Sequence, residues 1–281
     1  MAKIHFTKLD NPFKLIFGDF KLHLKYFLPI TFLSTLFYIL ALTPKYFEQY
    51  VAFYPIPILI FSLVCTFVFC VFFWKYILKT LGLALIAYSK IKGEEIDLAE
   101  IDKKIKSKTK PIILFFSFGA VVALVATAFY LLLTFFALRL NTVLFDGPFL
   151  AISNFFFKNN IALLILSLAF LLGFAYFLAR YFGLAIQVFL FEEESAIKPY
   201  KLSWSMLNRN VFAISFPIVV LTLLSYIPVF IIFVLISFLF SFNVPNFIAL
   251  LADTLNYTIF QFLSTLFTVY ILTSAYIKAK E

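Results

Sequence analysis

Two basic residues sit where apolar sequence should exclude them. Lys75 in "FFWKY" and Arg180 in "FLARYFGLAIQVFLFEEE" each fall late in a long hydrophobic run, and each is followed by tyrosine. A cation placed there has few physical options: it snorkels to the water boundary, pairs with a carboxylate, or holds an anionic phosphate. Eleven uncharged residues separate Arg180 from Glu192. If the chain leaves the membrane at Glu192, the guanidinium lies inside the bilayer boundary. If it leaves near Arg180 itself, the apolar remainder folds along the interface. Lys201 and Arg209, in the next polar stretch, complete a set of four candidate lipid or anion contacts.

Other chemistry is sparse. There is no GxSxG, HExxH or phosphate-loop pattern, and the only histidines are His5 and His23. Ser203 and Ser205 lack a neighbouring histidine base and read as interfacial hydroxyls. Cys65 and Cys70 are five positions apart in an apolar run, so they share no helical face and suggest neither a disulfide nor a metal site. The cores of the apolar runs hold almost no ionisable group, which argues against a proton relay or an ion-coupled pump. No catalytic residue, metal or cofactor is expected.

The elements that carry these residues are membrane helices. The 281 residues are 64% hydrophobic and 13% charged, with a mean hydropathy of +1.03, whereas soluble domains carry about 25% charge. A net charge of +9 would suit nucleic acid. Here the basic residues flank apolar runs, so anionic lipid is the expected partner and nucleic acid is not. Runs long enough, or nearly so, to span at roughly 20 residues each lie at 26–42, 56–78, 111–138, 161–191, 211–240 and 247–277. The expected fold is therefore an all-α polytopic bundle of six transmembrane helices, in one membrane domain covering 1–281. Pro29, Pro57, Pro217 and Pro228 mark kinks or helix beginnings within it.

Orientation follows the lysines and arginines. Twenty of the 23 lie on one side, the exceptions being Lys45, Arg139 and Lys158, so both termini are expected in the cytoplasm of a prokaryotic cell, the chain crossing its inner membrane. The first 25 residues hold five lysines but also Asp10 and Asp19, and no small-residue cleavage pattern follows, which reads as an uncleaved chain.

Three cytoplasmic segments resemble one another, beginning at Lys8, Gly93 and Glu192. Each starts polar or acidic, turns basic and runs into an odd-numbered span. Glu94 and Glu95 open the second, and Glu192, Glu193 and Glu194 the third, as helix-start signals that complement the helix dipole. In the third, Ala196, Ile197, Tyr200 and Trp204 recur at three- and four-residue intervals. Such amphipathic helices are expected at the interface, apolar face among the acyl chains and lysines toward phosphate. The pattern suggests three parallel units of interfacial helix plus helical hairpin, 1–78, 79–191 and 192–281. The alternative is that all basic loops leading into helices look alike. Asn256 and Gln261, in the last span, are candidates for hydrogen bonds to other helices.

The stretch "EEESAIKPYKLSWSMLNRNVFAI" carries a family likeness. Glu193, Glu194, Ala196, Lys201, Ser203, Trp204, Arg209 and Asn210 resemble the segment that precedes the fifth helix in a group of bacterial six-helix membrane proteins. That group is related to the membrane domain found ahead of glycerophosphoryl diester phosphodiesterase catalytic domains. The resemblance implies a membrane-domain fold and no catalytic residue, since the catalytic domain of those relatives has no counterpart in this chain. The expected function is a non-enzymatic membrane protein that binds, organises or moves lipids at the cytoplasmic leaflet. A small-solute transporter or channel and a scaffold for a partner protein are the alternatives.

Overall fold

In the computed structural model, described residues are 12–42, 54–95, 97–145, 172–192 apart from 175 and 179, 197–208 and 246–280, with eight separate positions between 220 and 238. All regular structure among them is helical. Among the described residues five helices are long and apolar enough to cross a membrane: Phe20–Ala41, Pro55–Lys92, Thr109–Tyr130, Leu172–Phe191 and Leu250–Lys280. They overlap the expected spans except the fifth, 211–240, which with Pro217 and Pro228 lies largely outside the described residues. The chain forms two compact units, one of residues 1–108 with 210–281 and one of 109–209. The boundary expected at residue 78 falls inside a helix.

The first unit contains α1 (Pro12–Gly18), α2 (Phe20–Ala41), α3 (Pro55–Lys92), α4 (Leu98–Ser107) and, at its end, the long helix Asn246–Lys280. Proline at the first position starts α3, where its missing N–H costs no hydrogen bond. Its end is a glycine stop. Gly93 adopts φ 73°, its N–H reaches the Lys90 carbonyl at 3.2 Å, and the Glu94 N–H reaches the Ser89 carbonyl at 2.8 Å. At 38 residues, α3 runs well past the span expected at 56–78. The reason is visible in its burial. From Ile56 to Phe73 it exposes large apolar side chains, Phe67 by 73%, whereas Leu81 to Ala87 are buried. At 1.5 Å per residue the exposed part is roughly 26 Å long, close to the hydrocarbon thickness. The remaining turns bury apolar side chains in the bundle, and hydropathy alone undercounts such a stretch.

α2 lies antiparallel to α3. Phe37 stacks on Phe72 at 5.3 Å, Phe27 meets Tyr76 at 5.2 Å, and Asp19 pairs with Lys90 at the far end. The long C-terminal helix joins them through polar contacts. Thr35 donates to Gln261 Oε1 at 3.2 Å, the hydroxyls of Tyr76 and Thr265 are 2.6 Å apart, and Tyr270 meets His23 Nε2 at 3.1 Å. Gln261 thus forms the expected interhelical bond, and Asn256 is buried. Replacing Gln261 with leucine should lower stability by about 0.6 kcal/mol, the usual worth of such a bond in a membrane protein. A thermal unfolding series in detergent reads this.

The second unit contains α5 (Thr109–Phe145), the span Leu172–Phe191 whose last part is α6 (Ala185–Phe191), and α7 (Lys198–Asn208). The C-terminal helix of the first unit is numbered α8 (Asn246–Lys280). In α7, Pro199 occupies the second helical position, where no intrahelical N–H bond is lost.

Candidate functional site

Each unit fastens one short amphipathic helix to its long helices, by different means. In the first unit, Asp97 caps α4 by accepting the Ala99 N–H at 2.8 Å. The capping acid is therefore Asp97, while Glu94 closes the preceding helix through its backbone and Glu95 lies between the two, exposed. A short side chain next to the first turn reaches the free N–H groups. Farther along, Asp102 accepts the Tyr26 hydroxyl at 2.9 Å and Lys79 Nζ at 2.7 and 2.9 Å, with that ammonium 3.9 Å from the Tyr26 ring centroid. The Lys79 and Asp102 side chains remain 31% and 37% exposed, so the ion pair itself contributes at most about 1 kcal/mol. Its larger consequence is geometric: it sets the rotation of α4 about its axis.

That rotation corrects an expectation. The apolar side of α4 was expected among acyl chains, but Ile105 is only 3% exposed and Ile101 approaches Gly82 of α3. Lys103, Lys104 and Lys106 occupy the exposed side. Lys75 is also exposed, two residues past Phe73 where the belt of exposed apolar side chains ends, with Nζ 5.4 Å from the Phe72 ring centroid.

In the second unit the fourth span is interrupted. Gly183 and Leu184 are not helical, and the bond that would join the Leu184 N–H to the Arg180 carbonyl is replaced by the Ser203 hydroxyl of α7. Ser203 accepts the Leu184 N–H at 3.1 Å and donates to the Arg180 carbonyl at 3.2 Å. A side chain inserted into the helical ladder is a recognised cause of a bend. Ser203 is thus fully buried, not an interfacial hydroxyl; Ser205 is exposed. The same insertion turns α7. Tyr200, Ser203 and Leu207 face inward while Ile197 is 48% exposed, so the expected stripe of Ile197, Tyr200 and Trp204 is rotated by about one residue.

Arg180 is 8% exposed. Its guanidinium carbon lies 3.9 Å from the Trp204 ring centroid, Nε donates to the Trp204 carbonyl at 3.3 Å, and Nη1 donates to the Tyr176 hydroxyl at 3.4 Å. Beside it, Tyr200 stacks between Phe115 at 4.7 Å and Tyr181 at 5.2 Å and donates to the Phe115 carbonyl at 2.7 Å. Burial pushes the Tyr200 hydroxyl pKa up, and Tyr181 adds to the effect. Gly119 makes the fit possible, because a Cβ there would strike the Tyr200 hydroxyl and sit 3.3 Å from Phe182.

Of the residues selected from sequence, the structure joins Arg180, Ser203 and Trp204 in one cluster. Lys201 is exposed on α7, Lys75 belongs to the other compact unit, and Glu192 follows α6 with its N–H on the Val188 carbonyl at 2.9 Å. Glu193, Glu194, Ala196, Arg209 and Asn210 lie outside the described residues. Sequence reasoning missed Tyr26, Lys79, Asp102 and the two packing glycines. Glycine inside an apolar helical run was the available signal for Gly82 and Gly119.

No family model, curated protein or solved structure matches the chain. Fold and site define a class: an all-helical chain with the make-up of a multi-pass membrane protein.

Proposed function

We propose that this chain is a non-enzymatic membrane protein that binds and organises anionic lipid at the cytoplasmic leaflet. In this reading six helices span a prokaryotic inner membrane, the fifth formed by 211–240, both termini are cytoplasmic, and three similar hairpin units are arranged in parallel. The likeness to bacterial six-helix membrane domains agrees with it.

One observation carries the proposal. The apolar side of α4 is taken up by its own bundle, through Ile105 and the Asp102 anchor, which leaves a short rigid helix with Lys103 and Lys104 outward. A helix held in that way does not need the bilayer for its folding, so its lysines are available to lipid phosphate. The polar contacts between α2, α3 and α8 pair hydroxyl and amide groups with one another, which suits helix adhesion better than a solute path.

The test measures preference for phosphatidylglycerol over phosphatidylcholine in mixed micelles. Changing Lys103 and Lys104 together to glutamine should weaken that preference about thirtyfold, at roughly 1 kcal/mol per lysine. An unchanged preference in the correctly folded variant would remove the proposal's support.

A further inference from the structure

We infer that Arg180, with Trp204 as its platform, binds the phosphate of an anionic lipid. This rests on the lipid reading above but places the contact at a second and different site. The argument begins with charge. Arg180 is a cation in an apolar span, more than nine-tenths buried, and both of its hydrogen-bond acceptors, the Trp204 carbonyl and the Tyr176 hydroxyl, are neutral. The ion pairs Lys79 with Asp102 and Lys90 with Asp19 both lie elsewhere, and neither involves Arg180. A buried charge without a counter-charge is costly, and removing it from water is not offset by a ring and two neutral acceptors alone.

Geometry then selects the ligand. The guanidinium is planar and presents five N–H donors, of which the hydrogen bonds to Trp204 and Tyr176 use two. With one face on the indole, its orientation is set before any ligand arrives. A planar fork of that kind matches two oxygens of a phosphate diester better than a lysine ammonium does. Depth selects lipid over a soluble anion. Among the described residues of this span the large exposed apolar side chains are Leu172 and Tyr176, two turns and one turn before Arg180, and Leu184 to Leu190 are largely buried. Arg180 therefore lies where the apolar belt ends, at the level of headgroups. Tyr176 adjoining it is the residue type enriched at that boundary.

Ser203 is the positioning residue. By occupying the place of the Leu184-to-Arg180 backbone bond it brings α7 onto the span and with it Trp204 onto the guanidinium.

The experiment uses the two tryptophans of the chain, Trp74 and Trp204. In the full-length Trp74→Phe protein, Trp204 is the sole indole reporter and lies against the proposed site. The protein is placed in phosphatidylcholine vesicles with increasing phosphatidylglycerol, and Trp204 emission is followed. Expected is a saturable change whose midpoint shifts about tenfold toward higher phosphatidylglycerol in Arg180→Gln, the loss of a charged hydrogen-bond set. Arg180→Lys, which keeps charge but loses the fork, should fall between. If Arg180→Gln fails to fold, the Trp74→Phe protein alone remains decisive: absence of any phosphatidylglycerol-dependent change overturns the inference. So does an equal response to inorganic phosphate alone, which would make the ligand a soluble anion. Lys103→Gln with Lys104→Gln separates the two proposals. Loss of lipid preference there, with an unchanged midpoint in Arg180→Gln, refutes only the Arg180 site.

Discussion

Tyr200→Ala should lower stability by about 3–5 kcal/mol, the range for removing a large buried aromatic side chain. Tyr200 is 1% exposed and stacked between Phe115 and Tyr181, so few neighbours can collapse into the space it leaves. Tyr200→Phe keeps the rings together and removes the donor to the Phe115 carbonyl, a loss of about 1 kcal/mol. Thermal unfolding in detergent should rank wild type above Phe and Phe well above Ala. A pH series adds an independent check. The folded hydroxyl has a raised pKa, so the folded state holds its proton more tightly than the unfolded chain, which ionises near pH ~10. The corresponding stability is complete below that pH and is lost as pH rises toward the folded value. The wild-type advantage over Tyr200→Phe should shrink in that window. An alanine variant that melts with the wild type would show that the aromatic nest does not hold α7.

Gly82→Ala should cost about 1–3 kcal/mol, as overpacking of a full core does. A Cβ at this position would strike the Tyr26 hydroxyl and lie 3.0 Å from Cζ of the same ring and 3.4 Å from Ile101. The Tyr26 ring cannot move freely, since its hydroxyl is bonded to Asp102 and its face lies under Lys79. Adding one methyl group therefore loosens α4 as well as α2. Tyr26→Phe in the Gly82→Ala background should recover part of the loss, because the nearest obstacle is the oxygen that phenylalanine lacks. The two changes are then non-additive, as expected for residues in contact. A cysteine placed at Ile105 should label faster in Gly82→Ala than in the parent. Equal labelling would show that α4 is held without Tyr26.

The stretches that became helices were largely legible in the chain. Long apolar runs without ionisable groups have few alternatives in lipid, where backbone groups must bond within their own segment. Pro55 begins α3 close to the expected start at 56, whereas the stop at Gly93 lies well beyond the expected end at 78. The depth of the long helices was less legible. Tyr76 to Lys92 carries Lys79 and ends in Lys90 and Lys92, so it reads as a segment beyond the span until α2 and α8 are present to cover it. The candidate cluster was legible in part, since Arg180 was conspicuous by charge and Ser203 and Trp204 by their motif.

The role of each could not be read in advance. Which residue caps α4 depended on a difference of two positions between Glu95 and Asp97, and on the glycine turn that consumed Glu94. Ser203, from another part of the chain, takes up the Leu184 N–H and the Arg180 carbonyl and so interrupts the helical ladder at Gly183 and Leu184. Composition and apolar length, which are additive along the sequence, were enough to indicate a helical chain with the make-up of a multi-pass membrane protein. Contacts between residues far apart in sequence decided the rest: the anchor from Asp102 to Tyr26, 76 positions away, and the bond from Tyr200 to Phe115, 85 positions away. Hydroxyl bonds and ring stacking act over a few ångströms, and only the folded arrangement sets those separations.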